Sequence, residues 1–224
     1  MTQPLNAADN DLPWIDAHSH IWPPEVDKYP LAPGKTKKDL DPPSFTDEEL
    51  LAIARPEGVG RVVLIQHSQY HLWDNSYIID CAKRFPGRFS LVAMIDDRTA
   101  HPDVKLRELL PLGVRGLRIT PRIHGEQWLE GPGMEALWRT AAQTGQNMCC
   151  LIDAKELPRV AAMCQKHPGT PVVIDHFARV GVDGTIRDSE LQALCDLAKH
   201  KRVTVKLSTY YALGRSEEHT SELQ

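Results

Sequence analysis

Apolar residues along this chain fall in short, nearly continuous runs separated by stretches whose apolar positions recur with helical spacing. Trp14-Ile15-Asp16-Ala17 is the first run, and it ends in His18-Ser19-His20. Strands are then predicted over Arg61–Gln66, a continuous apolar run of buried-strand type, and over Phe89–Ile95, Val114–Ile119, Met148–Ile152, Pro171–Ile174 and Val203–Leu207. Between them, Thr46-Asp47-Glu48-Glu49 has the form of a capping box opening a helix with Leu50, Leu51, Ile53 and Ala54 on its apolar face. Further helices are predicted over Ser76–Phe85, Val104–Leu110, Met134–Thr144, Glu156–His167 and Ser189–Lys199. No hairpin signal interrupts the alternation, so the strands should be parallel and joined by crossover helices.

Two architectures have that pattern. An open sheet built for a dinucleotide wants Gly-x-Gly-x-x-Gly after its first strand, and here that turn is His-Ser-His followed by prolines. The expectation is therefore an incomplete (β/α)8 TIM barrel with about seven strands present and the eighth missing. Residues 1–214 are read as that partial domain. Residues 215–224, Arg-Ser-Glu-Glu-His-Thr-Ser-Glu-Leu-Gln, match the translation of a common short-read sequencing adapter and are read as a non-native tail. On this reading the native message breaks off near Gly214, and the fragment is expected to fold poorly and to be inactive. A proline-rich stretch, residues 21–44, carries Lys28, Tyr29, Lys35, Lys37 and Lys38 and is expected to be an ordered loop acting as a lid.

A net charge of -4 with both signs interspersed gives no footprint for nucleic acid or an anionic membrane. The amino-terminal residues lack an apolar core and no run is long enough to span a bilayer, so a cytoplasmic protein acting on a small molecule is expected. Cys81, Cys149, Cys150, Cys164 and Cys195 form neither a disulfide framework nor a zinc pattern, and are read as buried reduced thiols.

Candidate chemistry lies at the carboxyl ends of the strands, where barrel enzymes build their sites. His18 and His20 are two residues apart in a strand and so share a side, a geometry suited to a metal or to acid–base work. Asp175 and His176 end the sixth strand in the same way. Strand parity turns Arg118 and Lys206 inward, where each needs an anionic partner, either a protein carboxylate or a substrate group. Gln66, His67, Tyr70, Arg122 and His124 stand just past strand ends, where they could line a pocket.

Ile15-Asp16-Ala17-His18-Ser19-His20-Ile21-Trp22 with Tyr29-Pro30-Leu31, Gly113-Val114-Arg115-Gly116-Leu117-Arg118, Val173-Ile174-Asp175-His176 and Val205-Lys206-Leu207-Ser208 together resemble the amidohydrolase-related family, in its branch of sugar-acid lactonases and 2-pyrone-4,6-dicarboxylate lactonase. The resemblance covers residues 14–212. It implies a hydrolase opening a lactone or cyclic ester of a carboxylated or sugar-derived acid, with His18, His20 and His176 at the reaction centre. It also implies an aspartate after an eighth strand. Arg118, Lys206, Arg122, Gln66 and Tyr29 are then the candidates for holding an anionic substrate. A zinc or manganese ion on His18, His20 and His176 and a metal-free mechanism both remain open, because the fifth strand ends at Asp153 without the histidine of the metal-dependent members. A metal-dependent decarboxylase and a non-catalytic binding protein on a degenerate barrel are the rival readings.

Overall fold

The computed structural model describes residues 12–208, so the tail read at residues 215–224 lies outside the described residues. Seven strands are present: β1 Trp14–Ser19, β2 Val59–Ile65, β3 Phe89–Ala93, β4 Val114–Ile119, β5 Asn147–Cys150, β6 Val172–Ile174 and β7 Val203–Val205. They are hydrogen-bonded in sequence order, β1 through β7, and the paired registers are parallel. The helices are α1 Asp47–Ala54, α2 Ser76–Arg84, α3 Pro102–Leu109, α4 Pro121–His124, α5 Pro132–Thr144, α6 Leu157–Lys166 and α7 Asp188–Cys195. Parallel strands in unbroken sequence order, joined by helices, are the topology of a (β/α)8 barrel; a doubly wound sheet reverses its order. The chain is an incomplete TIM-barrel-like α/β fold.

The backbone divides into two compact units, the first comprising residues 12–96 with Glu108–Leu117, the second Asp97–Arg107 with residues 118–208. In the first unit, Leu64, Ile65, Ile78 and Leu91 are fully buried. The capping box of α1 forms as its sequence requires. The Glu49 amide donates to Thr46 Oγ1 at 3.2 Å, and the Thr46 amide donates to the Glu49 carboxylate at 2.6 Å. Asp47, buried in the first turn, accepts from Arg84 at 2.7 Å and from the Tyr77 hydroxyl at 3.1 Å, which ties α2 to the start of α1.

The proline-rich stretch is pinned rather than open. Trp22 and Phe45 form an isolated antiparallel bridge, the Trp22 indole donates to the Pro42 carbonyl at 2.9 Å, and the Ala32 amide donates to the Tyr70 carbonyl at 2.6 Å. It includes one 3-10 turn, Lys37–Asp39, where an uninterrupted loop was expected. Element ends also differ from expectation where a side chain outcompetes the ladder. Strand β3 stops at Ala93 because Met94 turns both its amide and its carbonyl to the Asn75 side chain, each at 2.9 Å. The four-residue helix α4, started by proline, is too short to leave a periodic signal.

In the second unit Trp128, Met134, Leu137, Trp138 and Ile119 are fully buried. Cys149 and Cys150 in β5 are buried as expected, and burial pushes the Cys149 thiol up to about 12. Cys195, by contrast, is exposed at the end of α7, so the expectation that all five thiols are buried is corrected there. Helix α5 begins against the backbone of the β3–α3 loop: a Cβ on Gly133 would lie 1.8 Å from the Asp97 carbonyl oxygen. Only glycine allows that approach. Gly133→Ala should therefore cost about 1–3 kcal/mol or more by forcing the helix start away from the loop, read as a lowered urea midpoint with unchanged slope.

Candidate active site

In the first unit the site begins with a bulge. Four residues of β1, from Asp16 to Ser19, span three of β2, from Val62 to Leu64, so the ladder slips at Ala17-His18. Bulges re-aim side chains, and this one is fastened by Asp16, which accepts from the His18 amide at 2.8 Å and from the Ser19 hydroxyl. The two histidines meet with ring centroids 5.1 Å apart, edge to face. His20 Nδ1 lies 2.9 Å from the Ile65 carbonyl. A carbonyl only accepts, so Nδ1 carries the proton and Nε2 of the neutral ring keeps its lone pair.

His67, two residues beyond β2, extends the group. Its ring is 5.2 Å from that of His20, 5.3 Å from Trp22, and stacked on Tyr70 at 4.0 Å. The Tyr70 hydroxyl reaches back to the backbone of Asp41, so the loop over residues 21–45 helps fix this aromatic group.

Two of the expected substrate-binding residues in this unit have structural duties. Gln66 is buried and its amide donates to the Asp74 carbonyl and, at 3.4 Å, to that of Leu72, which holds the β2–α2 loop. Tyr29 is buried with its hydroxyl donating to Asp80 at 3.0 Å, and the Lys28 ammonium lies 2.6 Å from that hydroxyl. Burial raises the tyrosine's pKa.

In the second unit, Arg118 at the end of β4 and Lys206 just past β7 converge on the Asp175 carboxylate, at 3.1 and 3.4 Å. Asp175 is wholly buried and Arg118 nearly so. The inward cations thus meet a protein carboxylate, one of the two partners that parity allowed. Thr204, two residues before Lys206 in the last strand of the described sheet, is exposed.

His176 follows directly, and its Nδ1 is 2.9 Å from the Ser208 hydroxyl. The backbone there is unusual: His176, Phe177, Ala178 and Arg179 have φ of 52°, 57°, 51° and 56°. Four successive left-handed L-residues cost on the order of 1–2 kcal/mol each. The turn is held by the Phe177 amide donating to the Lys206 carbonyl at 3.0 Å and by Arg179 on Asp153 at 3.2 Å.

Burial lowers the His176 pKa below 6.5, with Asp175 opposing and Arg118, Lys206 and Arg179 assisting. The folded protein therefore binds fewer protons at this ring than the unfolded chain does. Its stability contribution is complete above about pH 6.5 and falls as pH drops from there through the lower folded value. His176→Gln should flatten that fall, as measured by urea midpoints at about pH 7.5 and 5.5.

A cleft of about 520 Å³ opens past the carboxyl ends of β4 and β5, lined by Thr120, Arg122, Asp153, Lys155, Arg159 and Arg179 among others. Arg159 and Arg179 are paired with carboxylates. Arg122, an expected substrate-binding residue, lines this cleft, as does Lys155.

His18 in β1 and His20 just past it could offer a divalent ion two imidazoles. Among the described residues, however, no group of three or more His, Cys, Asp or Glu side chains is arranged to hold a metal ion. A zinc site wants at least three protein ligands, so the described set does not fit one and no step below runs through a metal.

The chain is 31% identical over 199 residues to the 4-sulfomuconolactone hydrolase of Rhizobium radiobacter, covering 86% of this chain and 62% of that protein. It is 27% identical to the L-fucono-1,5-lactonase of Burkholderia ambifaria, over 87% of this chain and 67% of that one. Among solved structures it superposes on the "probable 2-pyrone-4,6-dicarboxylic acid hydrolase" of Acinetobacter baumannii, solved with citric acid bound. The TM-score is 0.76 at 21% identity, over 92% of this chain and 73% of that one. The chain thus spans less than two thirds of the length of the first of these relatives. The amidohydrolase family model matches residues 15–223, and with that match over most of its length this chain belongs to the amidohydrolase family.

Proposed function

We propose that this protein is a lactone hydrolase, with His18, His20 and His176 as its catalytic residues and a small anionic lactone as its substrate. The observation that carries the reading is the histidine pair at the β1 bulge, where the bond to Ile65 leaves His20 Nε2 as a lone-pair donor. In ring opening, water adds to the lactone carbonyl, the acyl C–O bond breaks, and a hydroxy acid forms. Nε2 of His20 gives the water proton a place to go. Burial favours the neutral form of His176, so it too is suited to accept a hydrogen bond or a proton near neutral pH.

The preference for an anion is supported by charge. Arg122 and Lys155 bring cations to the cleft, beside Arg159 and Arg179, although Glu126, Asp153 and Glu156 line it too. A relative named for a sulfonated lactone points the same way, whereas the fuconolactonase is named for a neutral one. The decarboxylase reading is the weaker one, since neither β5 nor Leu151-Ile152-Asp153 just past it contains a histidine. Among the described residues no helix is long and apolar enough to cross a membrane.

The test assays this chain and the longest product of its gene against 4-sulfomuconolactone, 2-pyrone-4,6-dicarboxylate and L-fucono-1,5-lactone, following proton release. Faster opening of the two anionic lactones is expected. A preference for the fuconolactone would remove the anionic part of the proposal, and carbon dioxide release without ring opening would replace the hydrolase with the decarboxylase.

A further inference from the structure

The geometry points to His67 as a further catalytic residue, one that donates a hydrogen bond from Nε2–H to the lactone carbonyl oxygen as it becomes an oxyanion. This rests on the lactone-hydrolase reading above. Three observations carry it.

The first is tautomer. The Tyr70 amide is shared between the His67 carbonyl at 3.3 Å and His67 Nδ1 at 3.2 Å; an amide N–H only donates, so Nδ1 faces it as an acceptor and the ring proton is assigned to Nε2. His20 has the opposite arrangement, with its proton on Nδ1 and its lone pair on Nε2. Neighbouring imidazoles fixed in complementary states offer one acceptor for the attacking water and one donor for the carbonyl that it attacks.

The second is placement. The His67 and His20 ring centroids are 5.2 Å apart, and His18 is 5.1 Å from His20 on the same strand. A carbonyl group seated on the His20 ring is within hydrogen-bond reach of the next ring.

The third is rigidity. His67 is stacked on Tyr70 with an interplanar angle of 12°, meets the edge of Trp22, and its stacking partner is bonded to the Asp41 backbone. A donor held before the reaction begins stabilises developing negative charge without reorganising. The proton stays on His67 throughout, so the step is a hydrogen bond that strengthens as negative charge builds on the carbonyl oxygen, and no group is transferred.

His67→Phe keeps a ring for Tyr70 and Trp22 and removes the donor; His67→Gln restores an N–H. With the three lactones above, His67→Phe should lower kcat by about 10²–10³-fold with little change in KM, and His67→Gln should recover part of the loss. Long-range proton–nitrogen NMR of the unmodified protein should show the His67 proton on Nε2, a readout that does not depend on either variant folding. Unchanged kcat in His67→Phe, or a proton found on Nδ1, would overturn the assignment while leaving the lactonase reading in place. An unmodified protein that opens none of the three lactones would overturn that reading, and the role of His67 with it.

Discussion

His20→Asn should cut lactone turnover by about 10²–10⁴-fold, the range expected when a positioned acid–base group is lost. The substitution removes the Nε2 lone pair yet offers a side-chain N–H in place of the Nδ1–H that bonds the Ile65 carbonyl at 2.9 Å. The fold should survive, because the bulge that aims this strand is fastened by Asp16 through the His18 amide and Ser19 and not by the imidazole itself. Unfolding midpoints within about 1 kcal/mol of the unmodified protein, together with a kcat loss of that size, would separate chemistry from stability. Full activity in His20→Asn would mean that the reaction runs elsewhere.

Asp175→Ala should destabilise the protein by about 3–5 kcal/mol, because it removes a buried carboxylate that pairs with two cations. The side chains of Arg118 and Asp175 are only 3% and 0% exposed, and that of Lys206 is 15% exposed. Against a total stability of about 5–15 kcal/mol, such a loss brings the protein near its folding threshold. Part of it should return in the triple variant Asp175→Leu, Arg118→Met, Lys206→Met, where no charge remains to be compensated. Denaturant titration of both variants makes the comparison. An Asp175→Ala protein as stable as its parent would show that solvent reaches the cluster freely.

The strands were legible because a parallel strand covered on both faces has little choice but to be apolar, as in Val62-Val63-Leu64-Ile65 and Val172-Val173-Ile174. The pairing of His18 with His20 was legible from spacing alone. What was not legible depends on partners far along the chain. Nothing near Met94 announces that Asn75 will take its backbone out of the ladder, and nothing near Tyr29 announces Asp80. Gln66 has the composition of a ligand-binding residue and serves as a loop brace. His67 was legible only as one polar residue among several past a strand end. Its closeness to His20 follows from β1 and β2 being neighbours, and its tautomer follows from a backbone turn at Tyr70. The left-handed turn over His176, Phe177, Ala178 and Arg179 contains no glycine, so no composition signal marks it.

Ring opening in water enriched with 18O tests the central claim most directly. Attack of water on the lactone carbonyl places one 18O in the new carboxylate, leaves the released hydroxyl with the lactone's own ring oxygen, and evolves no carbon dioxide. Mass spectrometry of the hydroxy acid formed from L-fucono-1,5-lactone, whose released secondary hydroxyl does not exchange with water, should show that single label in the carboxylate, and His20→Asn should suppress its appearance. Label in the hydroxyl instead, loss of carbon dioxide from the substrate, or equal labelling by His20→Asn would contradict hydrolysis at the histidine pair.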